Sequence, residues 1–96
     1  MIDPDVFPRL ASKVRLRWDA ISGKHVLLYP ERGLELSETA AEIAQLCTGE
    51  LCAAAIVDRL HARHGSEPRA RIEAEVLAFL AELGARGLLA VAEAGT

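Results

Sequence analysis

The sequence predicts an α+β fold of winged-helix-like architecture, a short three-stranded antiparallel sheet followed by a three-helix bundle. Three observations point there. Apolar and charged residues alternate along Val14-Arg15-Leu16-Arg17-Trp18-Asp19, the period of a strand with one buried face. From Ser37 onward the apolar spacing changes to threes and fours, the period of helices. With 96 residues, 51% of them apolar, the chain can close one core and has no length for a second, so residues 1–96 are read as one domain.

The chain opens on Met1-Ile2-Asp3-Pro4-Asp5, acidic and broken by proline, without the basic start and apolar run of a secretory signal. Residues 1–7 are read as a flexible arm. After the alternating strand, Ala20-Ile21-Ser22-Gly23-Lys24 is the turn, and His25-Val26-Leu27-Leu28-Tyr29 is a second strand ended by Pro30, which has no N–H for a ladder. The two strands are expected to form a hairpin. Trp18 alternates with Val14 and Leu16 and is expected to anchor the core, leaving Arg15 and Arg17 outward. Gly33-Leu34-Glu35-Leu36 is the third strand, and Ser37 is placed to cap the helix behind it.

In helix one, Ala40, Ile43 and Leu46 or Cys47 share a face until Thr48-Gly49, and Glu38 and Glu42 lie near its positive end. Helix two runs from Leu51 to His64 with Ile56, Val57 and Leu60 on one side and Gly65 as its stop. Helix three opens at Ser66-Glu67-Pro68 and turns Ile72, Val76, Phe79, Leu80 and Leu83 inward. Leu88-Leu89-Ala90-Val91 reads equally as a last strand or as an apolar tail pressed on the core.

Composition narrows the function. Aromatic residues make up 4% of the chain, too few for an aromatic binding cage. The longest apolar stretches fall far short of the ~20 residues a bilayer needs, so no membrane span is expected and the chain is placed in the cytoplasm. Cys47 and Cys52 match neither a disulfide scaffold nor a CxxC pair and read as small hydrophobes. His61 and His64 lack a third ligand at matching spacing, and His25 lies in an apolar strand. The glycines are scattered, with no phosphate cradle. No catalytic residue, metal site or cofactor is therefore assigned.

The spacing of helices two and three also suits a DNA-reading winged helix. Against that stand a net charge of −3, the absence of Asn and a single Gln, Gln45, for base-edge contacts. Charge is regional: residues 9–24 carry five basic groups and one acid, residues 31–50 five acids and one arginine.

Several segments together resemble the pyrroloquinoline quinone biosynthesis protein D family (PqqD): Pro8-Arg9-Leu10, Arg15-Leu16-Arg17-Trp18-Asp19, Leu27-Leu28-Tyr29-Pro30-Glu31, Leu36-Ser37-Glu38-Thr39-Ala40-Ala41-Glu42-Ile43 and Arg86-Gly87-Leu88-Leu89. Two positions depart from the family pattern: Arg32 stands between the Pro-Glu pair and Gly33, and Ser37 occupies a place where Asn is common. Either change leaves turn and cap chemistry feasible.

The resemblance implies a non-catalytic chaperone that binds a ribosomally made precursor peptide and presents it to a radical S-adenosylmethionine (SAM) enzyme, which crosslinks the peptide's Glu and Tyr. It implies that the peptide adds as a strand beside the third strand while touching the third helix. Gly33, Leu34, Glu35 and Leu36 would then be the pairing edge, and Arg69, Arg71, Glu75 and Ala78 the helix-three wall. Arg15, Arg17, Tyr29, Pro30 and Glu31 are candidates for the surface that meets the enzyme, with Tyr29-Pro30-Glu31 in the first place shaping a turn. The rival readings are a DNA-binding winged helix and a carrier of the quinone product. Monomer and weak homodimer both remain open.

Overall fold

The alternating segments resolve into a sheet whose register follows from its leucines. A computed structural model describes residues 3–92. The elements are β1 (Phe7–Leu10), β2 (Arg15–Asp19), β3 (Lys24–Tyr29), β4 (Arg32–Leu36), α1 (Glu38–Leu46), α2 (Ala53–Arg63), α3 (Arg69–Ala85) and β5 (Leu89–Ala92). Strands β2, β3 and β4 form the antiparallel sheet in that order, as expected. Leu16, Leu27 and Leu34 line up across it, with Trp18, His25 and Leu36 in the next row on the same side. A slip of one residue would turn these rows to solvent, so burial fixes the register.

Both turns have local causes. At the β2–β3 turn the Asp19 carboxylate accepts from the Ile21 N–H and the Ser22 hydroxyl, each at 3.0 Å. At the β3–β4 turn Pro30 fixes its own φ, and Glu31 stands in the left-handed region at φ 66°. That conformation costs a non-glycine residue about 1–2 kcal/mol.

The helices close two connected cores. Ile43, Cys47, Ala53, Ile56, Val57, Leu60, Ile72, Val76 and Leu80 pack among themselves on the helical side. Val14, Leu27, Leu36, Ala41, Ala44, Leu83 and Leu88 pack on the sheet side. Leu10, Phe79 and Leu89 touch both groups and join them. Ser37 caps α1 as predicted, its hydroxyl accepting from the Ala40 N–H at 3.1 Å. Helix α3 ends in paired bonds, Gly87 N–H to Gly84 C=O and Leu88 N–H to Leu83 C=O. The pattern requires a left-handed residue at Gly87, φ 72°, and delivers Leu88 into the core.

Three points go beyond the sequence expectations or correct them. The apolar run after α3, left open by its periodicity, is a strand, and its partner is β1, which the sequence reading missed: Phe7 to Leu10 pair with Ala92 to Leu89. Pro8 is tolerated because its carbonyl, and hence its nitrogen, faces the α1–α2 loop and not β5; the Gly49 N–H donates to that carbonyl at 2.9 Å.

The arm expected over residues 1–7 is also shorter than read. Val6 is buried, and the carbonyls of Pro4 and Val6 accept from the Ala54 and Ala53 N–H groups at 3.0 and 2.9 Å. These bonds serve the start of α2, where Cys52 offers no side-chain cap. Residues 1–2 lie outside the described residues.

Finally, Trp18 is on the predicted face but is 59% exposed. The hairpin reaches beyond the helical layer, so alternation gave the correct side and the wrong depth.

Two stability effects are expected. Removing residues 1–7 uncovers the start of α2 and deletes Val6 and part of β1, lowering the melting temperature by about 10 °C for a loss of roughly 2 kcal/mol. A thermal melt of the truncated chain checks this. Glu31→Gly relieves the left-handed residue and is expected to add about 0.5–1 kcal/mol in a urea titration.

Candidate functional site

Strand β4 ends the sheet, so one side of its backbone has no strand partner among the described residues. Its side chains are already committed. Leu36 is buried in the sheet-side core and Leu34 packs against it, while Gly33 and Glu35 are exposed. Leu34 and Leu36 thus hold the strand in place, and the edge presents peptide N–H and C=O groups.

Beyond Leu36 the chain turns through Ser37 into α1, and a groove of about 440 Å³ opens between α1 and α3. Ser37, Thr39, Ala40 and Ile43 line one wall, and Glu75, Ala78, Phe79 and Glu82 the other. The helix spacing explains the second wall. Positions 75, 78 and 82 follow one another at three and four residues, adjacent to the face that Ile72, Val76, Leu80 and Leu83 bury. The groove therefore has an apolar middle of Ala40, Ile43, Ala78 and Phe79, with carboxylates at its rim.

Those carboxylates are partly neutralised. Arg71 Nε lies 3.8 Å from Glu75, and Arg86 lies 3.1 Å from Glu82. All four side chains are well exposed, so each pair is worth little and can be exchanged for a ligand's charge.

Of the predicted wall residues, the structure brings Glu75 and Ala78 into the groove and sets Arg71 one turn before Glu75. It does not bring Arg69 there. Arg69 is held on the side facing α2, donating to Asp58 at 2.8 and 3.1 Å and to Glu73 at 3.3 Å. These acids raise the guanidinium pKa further, through the hydrogen bond to Asp58 first. The sequence reading missed Thr39, Ala40, Ile43, Phe79 and Glu82 as groove residues. Glu82 was accessible by carrying the 71, 75, 78 stripe one turn further; the α1 wall depends on how the two helices meet.

The candidates for the enzyme-facing surface fall in two places. Arg15 and Arg17 are exposed on the outer sheet face, in register with Leu28 and Val26. Leu28 is itself 43% exposed. Tyr29, Pro30 and Glu31 form the β3–β4 turn, where Tyr29 packs against the sheet-side core and Pro30 and Glu31 are exposed.

Two further titratable side chains are in structural contacts. His64 Nε2 lies 3.0 and 3.1 Å from the two oxygens of Glu42 and ties the end of α2 to α1. The Cys47 thiol donates to the Ile43 carbonyl at 3.2 Å, and burial pushes its pKa up to about 12. No group of three or more His, Cys, Asp or Glu side chains gathers at one place among the described residues. No helix among them is long and apolar enough to cross a membrane.

The fold and the groove define a class: a winged-helix-like α+β module whose β4 sheet edge is open near the groove between two helices. The chain belongs to the coenzyme PQQ synthesis protein D (PqqD) family, whose model matches residues 24–89. It is 39% identical over 89 residues to the PqqA binding protein of Rhodopseudomonas palustris (strain HaA2), covering 93% of this chain and 86% of that protein. It is also 39% identical over 82 residues to the bifunctional coenzyme PQQ synthesis protein C/D of Methylorubrum extorquens, 85% of this chain and 22% of that larger protein.

The solution structure of the PqqD truncation of Methylobacterium extorquens PqqCD superimposes with a TM-score of 0.80 at 36% identity, over 94% of this chain and 95% of that one. That protein is described as a functional, stand-alone recognition element for ribosomally synthesized and post-translationally modified peptides.

The buried thiol has a measurable consequence. In the fold Cys47 stays protonated to about pH 12, whereas in the unfolded chain it ionises from its ordinary 9.0. The stability this group contributes is therefore complete below pH 9.0 and is lost as pH rises toward 12. Urea titrations are expected to show a steeper loss of stability above that point for the native chain than for Cys47→Ala.

Proposed function

We propose that this chain binds the ribosomally made precursor peptide of pyrroloquinoline quinone synthesis and presents it to the pathway's radical SAM enzyme, without performing chemistry itself. The open edge of β4 beside the α1–α3 groove carries this reading. An extended peptide paired with β4 forms main-chain hydrogen bonds along the edge and sends alternate side chains into the groove. Affinity then comes from backbone pairing and from apolar contact with Ala40, Ala78 and Phe79, with Glu75, Glu82 and Arg71 selecting charges at the rim. The relatives named PqqA binding protein and the recognition element described for the similar solution structure support the same reading.

The outer sheet face, with Arg15, Arg17 and the exposed Leu28, lies away from the core that α1 and α3 close. It is the surface left for the enzyme while the peptide occupies β4. In this reading the chain acts in the cytoplasm, alongside the peptide's synthesis.

Isothermal titration with the precursor peptide, with duplex DNA as control at near-physiological salt, tests the reading. Saturable heat is expected from the peptide alone. Ala78 is exposed in the groove, so Ala78→Trp is expected to fold, to fill the groove and to weaken the peptide at least about tenfold. Arg69→Ala, on the α2 side, is expected to leave affinity unchanged. Normal binding by a folded Ala78→Trp variant would place the peptide elsewhere.

A further inference from the structure

The row of Trp18, His25 and Leu36 continues the inner face of the sheet past the end of the helical layer. Trp18 meets the His25 ring edge-on, with centroids 5.0 Å apart, and keeps 59% of its surface in solvent. Beside them the hairpin and α1 enclose a cleft of about 510 Å³, with Leu36, Ala41 and Gln45 among its lining. Ser37 lines both this cleft and the α1–α3 groove, so the two meet around the start of α1.

Charge distinguishes the cleft from an ordinary apolar hollow. Lys24, Glu38, Glu42 and Arg63 line it. Lys24 lies 4.0 Å from Glu35, and Arg63 Nε lies 3.7 Å from Glu42, which also meets His64. Of the four, only Glu38 forms no ion pair among the described residues. A largely exposed indole with an unpaired carboxylate on the same cleft is the chemistry that receives a cation. The apolar surface of Leu36 and Ala41 suits the alkyl stem of a long basic side chain.

We infer that this cleft is a second subsite of the peptide groove, taking a lysine or arginine side chain from beside the strand paired with β4. The inference rests on the groove reading above and specifies which peptides it prefers. Both pairings in this sheet are antiparallel. A strand added to β4 in the same sense has its N-terminal end next to Leu36. The cation therefore comes from the residues immediately N-terminal to the paired segment.

Trp18 is the chain's one tryptophan, so its emission reports on this cleft alone. Three synthetic versions of the precursor peptide, with Lys, norleucine or Glu at that flank, are titrated while β4 amide shifts are followed by NMR. The Lys version is expected to shift Trp18 emission and to bind about tenfold more tightly than the norleucine version, with the Glu version weaker still. Glu38→Gln is expected to reduce the Lys advantage, and Trp18→Leu to remove most of what remains. Both residues are exposed, and circular dichroism checks that the variants are folded.

Equal affinities and unchanged emission, with the β4 amides shifting normally, would overturn the cleft and leave the groove standing. A Lys advantage that survives in full in Glu38→Gln would overturn the charge assignment. Absence of heat and of β4 shifts with every peptide would remove the groove reading, and the cleft with it.

Discussion

A single helix face holds both halves of this fold together. Along α3, Ile72, Val76 and Leu80 pack with α1 and α2, and Leu83 packs with the sheet. Phe79 touches both groups. A large-to-small change on that stripe therefore opens a cavity where no other element can compensate, at a cost of about 2–5 kcal/mol. The groove follows from the same constraint. Once the inward face is used by the core, the neighbouring stripe of Glu75, Ala78 and Glu82 is left to face the start of α1.

Strand β4 obeys a similar division of labour. Its inward leucines hold it against β3 and the core, which frees its outer backbone from any structural duty. A long open edge invites aggregation, and here the edge is short, carries Arg32 and Glu35, and is followed at once by the capped start of α1. The proposed binding surface is thus an edge that the fold leaves open and keeps brief. Nothing in this division requires a reactive side chain. Cys47 is buried and protonated, His64 is spent on Glu42, and His25 meets Trp18 edge-on.

Much of this was legible in the chain. The β2–β4 sheet, the Ser37 cap and the inward residues of α3 all rest on local periodicity and cap chemistry, and all appear where periodicity placed them. What escaped depends on contacts distant in sequence. Strand β1 has four residues, one of them proline, and becomes a strand only by meeting β5 at the far end of the chain. Trp18 was given the right side of its strand, but its depth depends on where the helical layer ends. Arg69 was assigned to the groove by its charge and position in sequence, and Asp58 on α2 turned it elsewhere.

We propose the open edge of β4 as the peptide's binding surface. Amide hydrogen exchange across Gly33–Leu36, with and without saturating precursor peptide, tests it most directly. Strand addition predicts that the β4 amides facing away from β3 slow by at least about tenfold on binding, because each gains a hydrogen-bond partner. Saturating peptide that leaves β4 exchanging as in the free protein, while protecting another part of the chain, would place the peptide away from this edge.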